Sequence, residues 1–311
     1  MKLIKDTISG TKLGDPMTFR NMTVFPLLGQ GITPDYLTLD EALAQKRANI
    51  TEVSEGGSVP ELRFANESDM PVFLMDGEEL IGAKQNRTLN LSILIPAMQT
   101  VGIPVSCVER GRWAHRSREF SSAPRAQYAE GRAKKMAQVS ASMESSGVRH
   151  SNQGAVWQNI DEKFLRLKTS SRTSAMADIF EQHSARLEEY VKSFTPTEGQ
   201  IGAVFTIEGK VCGFELFDSP ETLKKLWPKL LRSYGLDALD RADSAHQKEE
   251  EPTPPTGQND VQSFLNRVST GRTKKYPAVG EGEDIRLASP ALTGAALAAH
   301  GRVVHLSAFA S

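Results

Sequence analysis

Between residues 50 and 108 five short apolar stretches follow one another, each divided from the next by a cluster of turn formers. The stretches are 50–53, 61–64, 72–75, 89–95 and 102–108, and the clusters are 55–58, 66–69, 76–77 and 96–97. Segments this short are far below the length of an average helix, and turns at intervals of ~8–12 residues are the signature of antiparallel strands. Residues 18–28 extend the pattern upstream, cut by Pro26, and residues 40–44 read as a short capped helix. The expectation for residues 1–120 is an antiparallel β-sandwich.

The pattern then changes. Residues 127–145, 153–168 and 174–194 are helical in style, and in the last of these Met176, Ile179, Phe180, His183, Leu187, Tyr190 and Val191 form one apolar face. Residues 121–195 are therefore expected to be a helical segment. A hairpin is expected at 202–217 with Glu208-Gly209 as its turn, followed by a helix that Ser219 caps and Pro220 opens. The run QKEEEPTPPTG at 247–257 has three prolines and no large apolar residue, so a flexible loop is expected there. A helix at 260–268 and a closing strand at 301–309 complete an α+β region over 196–311. The class expected for the whole chain is α+β.

Composition narrows the function. Apolar residues make up 39% of 311, enough for a sizeable core, yet no apolar run approaches the ~20 residues that span a bilayer. The net charge of −1 speaks against a globally basic nucleic-acid binder, and aromatic interleaving around the basic residues is thin. No secretory signal is read at the start, and Cys107 and Cys212 lie in apolar segments as expected of free thiols; both readings place the protein in a reducing cytoplasm. Gly280-Glu281-Gly282 lacks the context of a dinucleotide fold, and there is no CxxC, HExxH or metal-ligand spacing among the six histidines. Neither a cofactor nor a metal site is expected.

The densest polar segment is DGEELIGAKQNR, residues 76–87, set between two apolar stretches. Glu78 and Glu79 could supply a general base, with Glu109 as partner. Lys84, Arg87, Arg110 and Arg112 could pair with phosphates, and Asn86 with hydroxyl or base groups. Residues 109–135 carry a local excess of five positive charges, which implies an anionic partner or an acidic surface elsewhere on the protein. Cys107 and His305, each in an apolar strand, read as packing residues.

Several segments together resemble one family: FLMDGEELIGAKQNRTLN at 73–90, IPVSCVERGRW at 103–113, NQGAVWQNI at 152–160, GKVCGFELFD at 209–218 and the closing VVHLSAF. It is the ARG and rhodanese-phosphatase-superfamily-associated protein domain family of bacteria. The resemblance departs at Asn152, where family members often carry Asp. The family's gene associations with ADP-ribosylglycohydrolases and phosphatases imply a role near ADP-ribosyl or NAD-derived metabolism. The expected function is thus a binding or accessory protein for an anionic, nucleotide-like small molecule. The alternatives are a hydrolase of such ligands using a carboxylate base, and a scaffold holding a partner enzyme through the helical segment.

Overall fold

A computed structural model of the chain describes residues 2–54, 60–114, 116–245 and 256–310. Helix α1 (Lys2–Ser9) precedes strands β1 (Lys12–Leu13), β2 (Met17–Phe19), β3 (Met22–Leu28) and β4 (Leu37–Thr38). Helix α2 (Leu39–Ala44) starts at a reciprocal cap between Thr38 and Glu41. Eight strands follow: β5 (Ala48–Glu52), β6 (Glu61–Asn66), β7 (Val72–Leu74), β8 (Glu78–Gly82), β9 (Arg87–Leu89), β10 (Ile93–Ile95), β11 (Thr100–Cys107) and β12 (Phe120–Ala126). The helices α3 (Ala129–Ser146), α4 (Gln153–Arg166), α5 (Met176–Gln182) and α6 (Ser184–Ser193) come next. The apolar face expected over 174–194 is thus carried by two helices that meet at His183. The chain closes with β13 (Gln200–Ile207), β14 (Lys210–Phe217), α7 (Pro220–Ala245), α8 (Gln258–Thr270), β15 (Arg272–Pro277), β16 (Glu283–Ser289), β17 (Leu292–Ala299) and β18 (Arg302–Ala310). The class is α+β.

Three sheets form. The largest has the order β1-β3-β13-β14-β18-β17-β16-β15, with β2 also on β3. A six-stranded sheet runs β12-β8-β9-β11-β6-β5, and a three-stranded one β10-β7-β4. Every pairing is antiparallel except β4 with β7. Strand β3 pairs with β13, far away in sequence, because its residues are buried along nearly their whole length and need a strand on either side. The hairpin β13–β14 turns at Glu208 and Gly209 with φ of 51° and 69°, the double positive φ of the turn that matches strand twist. The closing strand β18 joins the large sheet between β14 and β17.

The large sheet is covered on both faces. Val204 and Phe214 pack with Ile4, Val261 and Phe264 from α1 and α8. Phe205 faces the other way and stacks on Tyr234 of α7 at 3.8 Å between ring centroids. The six- and three-stranded sheets share a separate core built on Phe64, Leu74, Leu80, Ile93 and Ile103, which α3 closes with Val139 and Met143. The expected flexible loop at 247–257 lies outside the described residues apart from Thr256 and Gly257. Among the described residues no helix is long and apolar enough to cross a membrane.

Candidate functional site

The polar segment is not the open loop that its composition suggests. Residues 78–82 form β8, an inner strand paired to β12 and β9, and only residues 83–86 make the connection. Carboxylates tolerate this position because cations from distant elements meet them. Glu78 accepts from Lys229 Nζ of α7 at 2.6 Å, and Asp40 and Ser122 hold the same ammonium at 2.7 and 2.9 Å. Glu79 accepts from Arg125 Nε at 2.5 Å and from Asn86 Nδ2 at 3.4 Å. Both carboxylates are fully buried, and burial pushes both upward against the pull of Lys229 and Arg125. Asp40 and Ser122, which share Lys229 with Glu78, line a groove of about 550 Å³.

The structure does bring the 76–87 and 109–113 segments together. Glu109 Oε2 accepts from the Asn86 backbone N–H at 3.2 Å and from Arg112 Nη2 at 2.6 Å, while Thr173 Oγ1 donates to Oε1 at 3.0 Å. Arg112 Nη1 also binds the carbonyls of Ala83 and Ala114, at 2.7 and 3.0 Å, and Nη2 reaches Asn86 Oδ1 at 3.1 Å. These donors tie the β8–β9 connection to the following segment. Arg110 stands apart, half-exposed, with Asp161 of α4 3.0 Å away.

Arg87 differs from its neighbours. Its side chain is completely buried, yet Nε and Nη2 have no hydrogen-bond partner; Nη1 alone is engaged, by the Gln85 carbonyl and Oε1. Glu52 lies 3.7 Å from Nη2, and neither of its buried oxygens accepts a hydrogen bond. Above this pair stands the indole of Trp113, 49% exposed, with the Arg87 guanidinium carbon 5.8 Å and Lys84 Nζ 5.4 Å from the ring centroid. Such spacings are cation–π contacts. Cys107, opposite Arg87 in the sheet, is a buried free thiol that burial pushes up to about 11, so it is an inert packing residue.

A second polar cluster, which sequence patterning missed, starts at Asp76. Arg132 of α3 donates to Asp76 Oδ2 at 3.2 Å and grips Glu215 of β14 with Nη1 at 2.6 Å and Nη2 at 3.3 Å. Gly77 makes room for it: with φ of +86°, a side chain there would be strained and would meet Arg132 Cδ at 2.7 Å. Lys135 Nζ lies 3.3 Å from Asp76 Oδ1, and burial lowers its pKa to about 8 although Asp76 opposes the shift. Glu215 also accepts from Tyr234 Oη at 3.1 Å and lies 3.0 Å from His305 Nε2. His305 Nδ1 is 2.8 Å from Ser92 Oγ, so both ring nitrogens of this buried histidine have partners. The partners stand on α3, β14, α7, β18 and the link after β9, spacings too long for any local motif.

Glu130, Asp237 and Asp240 converge closely enough to hold a metal ion, but Lys163 Nζ sits among them at 3.0, 2.7 and 2.6 Å. Lys163, together with Lys134 on Glu130 and Arg166 on Glu130 and Asp240, offsets the charge of the three carboxylates. A cavity of about 690 Å³ beside it is lined by Arg20, Arg166, Lys168 and Arg186 around Tyr190 and Leu239. Three of these cations already face carboxylates: Arg20 meets Glu189, Arg166 meets Asp240, and Arg186 meets Asp243. In the helical segment Val148 and Leu165 are the large apolar residues left exposed among those described. Asn152 caps α4, accepting from the Ala155 N–H at 3.1 Å, a task Asp performs equally.

The model of the ARG and Rhodanese-Phosphatase-superfamily-associated Protein domain matches residues 10–309, nearly the whole chain. No curated protein and no solved structure matches it. With a match of that extent, the chain belongs to the ARG and Rhodanese-Phosphatase-superfamily-associated Protein domain family.

Proposed function

We propose that the protein binds an anionic, nucleotide-like small molecule of the ADP-ribosyl class at the Trp113–Arg87–Glu52 cluster. The observation that carries this reading is the fully buried guanidinium of Arg87 with two nitrogens left without partners. Unmet donors on a buried cation are costly, and a phosphate supplies acceptors in the geometry a guanidinium fits best. The unsatisfied oxygens of Glu52 would accept ribose hydroxyls, and the half-exposed Trp113 offers a stacking face for a base. Lys84 adds a second cation at the same ring. Because Arg87 is walled in, the ligand enters by displacing the Trp113 ring.

Glu109 and Arg112 brace this site instead of contacting the ligand, since their principal polar groups are spent on Asn86, Thr173 and the 82–83 backbone. Calorimetric titration with ADP-ribose, AMP and adenosine tests the reading. Binding of both phosphorylated compounds, weakened at least tenfold for adenosine, is expected. Equal binding of all three, or of none, would overturn it.

A further inference from the structure

We propose that Ser92, His305 and Glu215 form a nucleophile relay able to cleave a small activated ester, at a place separate from the Arg87 cluster. Donor and acceptor bookkeeping is consistent with one arrangement when His305 is neutral. Glu215 receives Arg132 on both oxygens and Tyr234 on one, an arrangement that suits a carboxylate, so the remaining bond at 3.0 Å has His305 Nε2–H as donor. In the neutral imidazole Nδ1 is then an acceptor, and Ser92 Oγ–H donates to it at 2.8 Å. Ser92 Oγ in turn accepts the Asp76 N–H at 2.9 Å, which fixes its direction. The ring is held by more than these bonds: it stacks on Phe217 with centroids 4.6 Å apart. A hydroxyl aimed at an imidazole that a carboxylate orients is the arrangement that activates serine, whichever ring nitrogen is used.

The same place holds donors for developing charge. Ser92 is part-exposed and, with Asp76, Arg286 and Ser307, borders a cavity of about 10 Å³, the room of a single oxygen-sized group. Arg286 is 5% exposed, and its Nε and Nη1 have no hydrogen-bond partner. A carbonyl oxygen seated in that niche would accept from Arg286 as it becomes an oxyanion, the Asp284 and Asp76 carboxylates of the same lining being held by Arg286 and by Arg132 and Lys135. The substrate class is therefore a short-chain acyl ester with a good leaving group.

The step balances without a further reactant. Ser92 Oγ bonds to the acyl carbon and its proton passes to His305 Nδ1. The bond to the leaving alcohol breaks and that oxygen takes the proton. Water then attacks the acyl carbon, gives its proton to Nδ1, and Ser92 leaves with it, releasing the carboxylic acid. Glu215 acts as a positioning residue.

Methanesulfonyl fluoride tests the relay on the full chain, read by peptide mass mapping, with p-nitrophenyl acetate turnover in parallel. The sulfonyl group is expected on Ser92, with fluoride released, and turnover is expected to be lost in step with labelling. His305→Gln should slow labelling of Ser92 by at least about a hundredfold. Circular dichroism of each variant guards against misfolding, and Glu215→Asp, the conservative change, should retain part of the rate. Where a variant fails to fold, the site labelled in the wild-type chain still decides. No label, label on another residue, or undiminished labelling of folded His305→Gln would overturn the proposal. None of these outcomes bears on ADP-ribose binding at Arg87.

Discussion

Arg87 lies beneath Trp113, its guanidinium carbon 5.8 Å from the centre of an indole that is itself half-exposed. The pairing places a buried, under-used cation directly behind a half-exposed aromatic surface. Lys84 reaches the same ring from the surface, at 5.4 Å, and is only partly buried. Lys84→Ala should therefore weaken ADP-ribose binding about three- to tenfold while shifting stability by less than about 0.5 kcal/mol. Calorimetry and a urea titration on the same sample separate the two effects.

Glu78 and Glu79 should matter for folding. Each is buried against one cation, Lys229 or Arg125. Removing one partner of a buried pair costs about 3–5 kcal/mol where the other charge is left uncompensated, and less where a further carboxylate remains, as Asp40 does beside Lys229. Glu79→Gln is expected to lower the unfolding free energy read from a urea titration by an amount near that range, and Glu78→Gln by less, since the amide keeps the shape and loses the charge. A variant with full stability and impaired ligand binding would instead place that carboxylate at the ligand.

The Lys163 cluster sets part of the acid stability. Burial opposes ionisation of Glu130, but Lys163, Lys134 and Arg166 outweigh it and hold its pKa at about 2 instead of the ordinary 4.5. A depressed pKa means stability that is fully present above about pH 4.5 and lost as the pH falls through about 2. Glu130→Gln should be less stable than wild type at pH 7, and the gap should close between those values. Urea midpoints at pH 7, 4 and 2 measure it, and a gap independent of pH would exclude Glu130 as the titrating group.

Asn152 should be replaceable by one residue and not by another. As the cap of α4 it satisfies the Ala155 N–H. Asn152→Ala is expected to cost about 1 kcal/mol in thermal or urea unfolding, whereas Asn152→Asp should cost next to nothing.

Local structure was largely readable from residues that act locally. Glu208-Gly209 marks its turn, Ser219-Pro220 its helix start, and the apolar spacing of Val261, Phe264 and Leu265 a buried helix face, because each signal lies within a few positions. Strand β8 was not readable as a strand: its two glutamates belong there only because Lys229 and Arg125 arrive from α7 and β12. The pairing of β3 with β13 joins residues more than 170 positions apart, and no periodicity carries that information. Strand β17 escaped notice because small residues such as Gly294, Ala295 and Ala296 mute the apolar alternation, and β15 because it is mostly polar and exposed. Composition singled out the 76–87 segment and Arg87 within it, on which the proposed site rests. The contacts of Arg87 with Glu52 and Trp113, and of Ser92 with His305, join distant segments and carry no local signal.

Intrinsic fluorescence during titration with ADP-ribose tests the binding reading most directly, because Trp113 is the proposed stacking surface and a half-exposed reporter. A saturable change is expected in the wild-type chain. It should fall away in Trp113→Phe and require at least tenfold more ligand in folded Arg87→Gln. A wild-type signal that stays flat to millimolar ligand, or one that Arg87→Gln leaves unaltered, would contradict the assignment of this cluster as the anion site.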